Sequence, residues 1–109
     1  MSEDEKIISQ INTILNQIDL NATKFSRIEE TLARYDKLPA CAIKHIVFVL
    51  SNSDDITIYR LLVFIDYLSS RCVEKLPSLT ENEEFLEKAS FLIWEPETQH
   101  LILSLAKYW

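Results

Sequence analysis

The 109-residue chain contains no glycine and only three prolines. Glycine supplies the turns of tight hairpins and the close backbone approach of phosphate-cradling loops, so its absence excludes P-loop and dinucleotide fingerprints. Cysteine is scarce as well. Cys41 and Cys72 fall in two different predicted helices, which suits reduced, intracellular thiols better than a disulfide framework. They form no paired metal-ligand spacing with His45 and His100, so neither a metal nor another cofactor is expected. Positive charge is in the minority: 11 basic against 17 acidic residues give a net charge of −6. That balance opposes a domain whose affinity comes from neutralising phosphates, and nucleic acid is not expected as a ligand. A bilayer-spanning run is missing too. The apolar stretch 56–68 is interrupted by Arg60 and Asp66, and no secretory leader is recognised, so no membrane partner is expected.

What the chain does have is apolar residues, 48% of the total, enough for the core of one domain over residues 1–109. Their spacing is helical throughout. Ser2 and Glu5 make a capping box ahead of Ile7, Ile8, Ile11, Ile14, Leu15 and Ile18, which recur on one face. Asn21 or Thr23 caps a second helix with Phe25, Ile28, Leu32 and Tyr35 on its core side. Pro39 opens a third, whose buried stripe is predicted as Ile43, Ile46, Val47 and Leu50, and the polar segment 51–54 ends it while capping the next. A fourth runs from about Asp55 to Cys72 and is apolar around most of its circumference, the mark of a helix surrounded by others. Residues 76–78 are predicted as a loop, and Thr80 with Glu83 as a second capping box before Phe85, Leu86, Ala89, Leu92 and Ile93. Glu95 and Pro96 start a last helix carrying Leu101, Ile102, Leu105, Ala106 and Trp109. No strand-period alternation competes, so the fold class is all-α: a compact superhelical stack of six to seven short helices.

Asp66 is the residue that this pattern does not explain. It is a lone carboxylate in an otherwise apolar stretch, 61–68, and even a neutral polar group withdrawn from water costs on the order of 2–7 kcal/mol unless something donates a hydrogen bond to it. One reading makes it a core acid bonded to Ser51, Thr57 or a neighbouring helix terminus. The other places it at the edge of a groove where a ligand supplies the donor. Its neighbours bear on the choice: Tyr59, Val63, Asp66 and Ser70 lie close to one stripe of the helix, with Arg60, Tyr67 and Arg71 beside them. A polar seam along an apolar helix suits one wall of a peptide groove. Catalytic chemistry has less to recommend it. Asp66, His45 and His100 form no known nucleophile or acid–base arrangement, and a catalytic site is not expected.

With these residues in view, the chain resembles the CTD-interaction domain, the helical module that binds the carboxy-terminal repeats of RNA polymerase II. It is most similar to the version found in the cleavage and termination factors of messenger RNA 3′-end processing. Three stretches carry the resemblance: residues 11–16 with 20–23 and 32–33, then 61–71, where Asp66 stands at the family's fourth-helix aspartate, then 95–96 through 107–109. The resemblance implies a nuclear, non-catalytic, monomeric module acting in transcription termination. Its partners would be the polymerase repeat and other 3′-end processing factors. The repeat, Tyr-Ser-Pro-Thr-Ser-Pro-Ser, would dock as a β-turn between the second, fourth and seventh helices. Asp66 would accept a hydrogen bond from its tyrosine hydroxyl, Asn21, Ala22 and Thr23 would contact the turn, and Val63, Tyr67 and Ser70 would line the groove. Some members pair a last-helix arginine with a phosphorylated serine. Ser104 stands at that position here, and a neutral hydroxyl does not replace a guanidinium fork. Members also continue into another helix after the tryptophan that Trp109 matches. Affinity is expected on the order of tens to hundreds of micromolar, because a short flexible peptide loses entropy and buries little area. Two alternatives remain, a VHS- or ENTH-like adaptor of membrane traffic and a helical scaffold subunit. A basic lipid-facing cluster would favour the first, where the sequence has scattered lysines such as Lys37 and Lys44, and a large exposed apolar patch would favour the second.

Overall fold

The computed structural model describes residues 2–16 and 22–106. Helix α1 spans Glu3–Leu15; the Ser2 hydroxyl accepts the Glu5 amide at 3.2 Å, and three acids in the first turn face the positive end of the helix dipole. Helix α2 is Ala22–Leu32 and α3 is Ala40–Asn52, with Pro39 at the N-cap position. Asp54 caps α4, Asp55–Arg71, by accepting the Thr57 amide at 2.9 Å. The Thr57 side chain and amide together hold the Asp54 carboxyl below the usual carboxylate range. A 3₁₀ turn, Val73–Lys75, leads into α5, Leu76–Thr80; then come α6, Glu83–Phe91, a second 3₁₀ turn, Leu92–Trp94, and α7, Pro96–Ala106. No strand occurs among the described residues.

Helix α4 packs against α1, α2, α3 and α7, and so is the centre of the stack. Its Leu61, Leu62, Phe64, Ile65 and Leu68 are all at most 1% exposed. Burying each of these side chains stabilises the fold by about 1.5–3 kcal/mol, and together they tie the surrounding helices to one rod. The same core holds Ile7, Ile11 and Ile14 of α1, Phe25, Ile28 and Leu32 of α2, Ile46 of α3, Phe85 of α6 and Ile102 of α7. Two polar contacts set the ends of neighbouring elements. Arg60 of α4 donates to the Leu15 carbonyl at 2.9 Å, satisfying one of the acceptors that α1 leaves open at its C-terminus. Lys75, almost fully buried, donates from Nζ to the Tyr35 carbonyl at 2.7 Å and clips the α2–α3 connection to the turn before α5.

Three local expectations differ from the structure. The buried stripe of α3 is Ala42, Ile46, Val49 and Leu50, whereas Ile43 and Val47 are only half-buried. The stripe is turned because small Ala42 lets α3 approach its neighbours on that side. Residues 76–80 are a short helix instead of a loop, since Pro77 lies in its first turn, where a missing amide hydrogen leaves nothing unpaired. The cap of α6 is Asn82, whose Oδ1 accepts the Phe85 amide at 2.9 Å, so Thr80 ends α5 and does not begin the next helix.

Candidate functional site

Only part of the circumference of α4 is covered. Val63, Asp66 and Tyr67 are half-buried, and Tyr59, Ser70 and Arg71 are exposed. Val63, Asp66, Tyr67 and Ser70 stand at i, i+3, i+4 and i+7, the spacing that puts four side chains on one helix face. Asp66 is therefore partly wet. The residue keeps part of its surface in water, a smaller cost to its charge than full burial would impose. The Ser51 hydroxyl donates to the Val47 carbonyl of its own helix at 3.0 Å.

The wall beside this face is built by α2. Phe25 lies between two aromatics of α4, with ring centroids 5.8 Å from Phe64 and 4.6 Å from Tyr67, both tilted. The Tyr67 hydroxyl donates to Glu29 Oε2 at 2.5 Å, and the same carboxylate meets Arg71 Nε at 3.5 Å. The Arg71 guanidinium also stands 6.0 Å from the centroid of the Tyr67 ring. The Glu29 carboxylate accepts the phenolic hydrogen bond, and with partial burial this pushes the Tyr67 hydroxyl above its ordinary range. The phenol stays neutral, and its ring is tilted by 37° against that of Phe25 on α2. Along α4 itself the Ser69 hydroxyl donates to the Asp66 carbonyl at 2.6 Å, and that of Ser70 to the Tyr67 carbonyl at 3.0 Å. These bonds fix the rotamers of both serines and leave the Ser70 oxygen free to accept.

Helix α7 packs on α4 from another side, so both α2 and α7 adjoin the helix that carries Asp66. Of the other residues singled out from sequence, Ala22 and Thr23 form the start of α2 and Ser104 lies on α7, with their side chains outside the described set. Asn21 lies outside the described residues altogether. Glu29 was not foreseen. Its signal was present in the sequence: a carboxylate one residue after Ile28 and four after Phe25 sits on the shoulder of an amphipathic helix, within reach of any donor on the helix it packs against.

His45 Nε2 of α3 lies 2.7 Å from Asn12 Oδ1 of α1, and burial lowers the imidazole below its ordinary pKa. Burial raises both thiols, Cys41 further by the charge of Asp4 and Cys72 further by that of Glu29, so both are protonated and weakly nucleophilic at neutral pH. Among the described residues no three His, Cys, Asp or Glu side chains are grouped to hold a metal ion. None of the described helices is long and apolar enough to cross a membrane.

Among the described residues, two depressions lie elsewhere. A small one is lined by Asp55, Ile58, Leu92, Glu95 and Thr98. An open one of about 610 Å³ is bounded by the α2–α3 connection, the start of α3 and α5. Neither is lined by Val63, Asp66, Tyr67 or Ser70. Comparison with known proteins gives no matching family model, no matching curated relative and no matching solved structure.

Proposed function

We propose that this chain is a non-catalytic peptide-binding module of the CTD-interaction type, reading heptad repeats of the RNA polymerase II tail in the nucleus during messenger RNA 3′-end processing. The observation that carries the reading is Asp66: a half-buried acid on the open face of the central helix, with α2 and α7 packed on that helix. A phenol arriving at this face brings a neutral donor to a carboxylate already partly stripped of water, which is where a hydrogen bond contributes most. The Tyr67–Glu29 bond supports the same reading, because it keeps an aromatic wall rigid beside the acid before any peptide arrives.

The test is a titration of the isotope-labelled protein with two-repeat peptides, unphosphorylated and phosphorylated, followed by amide shifts. The reading predicts saturable shifts on α4 around Asp66 and at the start of α2, on the order of tens to hundreds of micromolar. With Ser104 where a phosphate-pairing arginine would stand, the two peptides should bind with similar strength. An absence of shifts at millimolar peptide removes the proposal.

A second reading, a helical subunit within a larger assembly, is favoured by exposed Phe48, Phe91 and Trp94, which are 60%, 65% and 82% exposed on α3, α6 and the turn that follows α6. Helix α3 packs on α6, and α6 on that turn. Substitution of Trp94 by alanine should leave the peptide shifts unaltered if the two surfaces serve different ends.

A further inference from the structure

The open depression on the far side of the α2–α3 connection has a composition that the peptide reading does not use. Its floor is apolar, formed by Leu38, Ile43 and Pro77, and its rim carries the carboxylates of Asp36, Glu74 and Glu81 with the ammonium of Lys37. Glu74 lies 3.7 Å from Nζ of buried Lys75. Among the described residues the Asp36 and Glu81 side chains take part in no hydrogen bond or ion pair. Even with Lys75 counted behind the wall, three carboxylates stand against two ammoniums, an excess of one negative charge. The walls are fixed in place. The bond from Lys75 to the Tyr35 carbonyl ties the residue next to Asp36 to the residue next to Glu74, so the two acidic sides of the rim keep their separation without a ligand.

We propose that this depression is a second docking site, which takes an arginine side chain, flanked by an apolar residue, from an extended segment of a partner protein. An arginine matches the lining in both of its parts: a three-carbon stem to lie along Leu38, Ile43 and Pro77, and a guanidinium to reach the rim acids. A volume of about 610 Å³ holds more than one side chain, which is why a peptide segment is the occupant and not a free guanidine or polyamine. The net negative rim disfavours phosphate-bearing ligands. This site is independent of the face around Asp66, and its success or failure leaves that proposal untouched.

The experiment is an amide-shift titration of the whole chain with the capped peptide Ala-Leu-Arg-Leu-Ala, its Arg-to-Gln counterpart, and free argininamide. The proposal expects saturable shifts at Leu38, Ile43 and Ser78 with the arginine peptide. Binding should be about fivefold weaker for the glutamine peptide and for the exposed double substitution Asp36→Asn with Glu81→Gln. It should also weaken as salt rises to ~0.15 M. Should the double substitution perturb the fold by circular dichroism, the charge reversal Glu81→Lys replaces it, with the same loss expected. Equal binding of the two peptides overturns the proposal, as does unchanged binding by the substituted protein. Shifts of equal size around Glu3, Asp4 and Glu5 would mean diffuse charge attraction and would also overturn it. Argininamide binding as tightly as the peptide overturns the assignment of a protein segment as the occupant.

Discussion

Asp66 and Tyr67 are adjacent in sequence, and both are half-buried. Tyr67 has its partner inside the protein: a hydrogen bond to a carboxylate, sheltered by Phe25, is among the stronger neutral-to-charged contacts, and Tyr67→Phe should lower folding stability by about 1–2 kcal/mol. Chemical denaturation measures this, and a value near zero would mean that Glu29 is better solvated than its geometry indicates. Asp66 likewise keeps part of its surface in water. His45 supplies a pH dependence. Its folded pKa lies below the ordinary value near 6.5 because burial penalises the imidazolium. The unfolded chain therefore takes up the proton first as pH falls, and stability present above about pH 6.5 is lost as pH drops toward the folded value. Replacement of His45 by Gln, which can still donate to Asn12, should flatten the fall in stability below about pH 6.5, as read by denaturation midpoints at several pH values.

At the scale of elements, the helices were legible because apolar residues recur with a period that only a helix uses, and their ends were legible where one side chain had one amide to cap. Ser2 is such a case, whereas within the polar segment 51–54 expected to cap α4 it is the structure that picks out Asp54. The start of α6 was not, because three polar residues, Thr80, Glu81 and Asn82, compete within one turn, and the choice falls to Asn82 only once α5 has formed and used Thr80 as its last residue. Asn82→Ala should accordingly cost about 1 kcal/mol, as loss of an N-cap does, with the thermal midpoint as the measurement. An unchanged midpoint would return the cap to Thr80. The rotation of the α3 stripe was hidden for a related reason. Periodicity marks Ile43 and Val47 as apolar, but whether a half-apolar helix buries that side or the one carrying Ala42 depends on which neighbour comes close, and that is a property of the stack. The candidate face on α4 was visible from the interruption of an apolar run by Asp66. Its wall was not, since Glu29 matters only through a partner 38 positions away.

The whole molecule has a radius of gyration of 12.8 Å, close to the ~13 Å of a compact domain of about 100 residues. Helices from both halves of the chain pack on α4, so the stack is held by contacts distant in sequence, and the face around Asp66 is presented by a rod that cannot shift without disturbing four neighbours. On the proposed reading, such a platform needs no folding step on binding, and its affinity would come from a few placed groups. The most direct measurement is a double-mutant cycle by calorimetric titration. It combines the protein with and without Asp66→Asn and a two-repeat peptide with and without its tyrosines replaced by phenylalanine. The account predicts that each change alone weakens binding by about 1–3 kcal/mol, that the two together cost about 1–2 kcal/mol less than their sum, and that the substituted protein unfolds at an unchanged midpoint. Strictly additive losses, or collapse of the fold on removing that one charge, would contradict it.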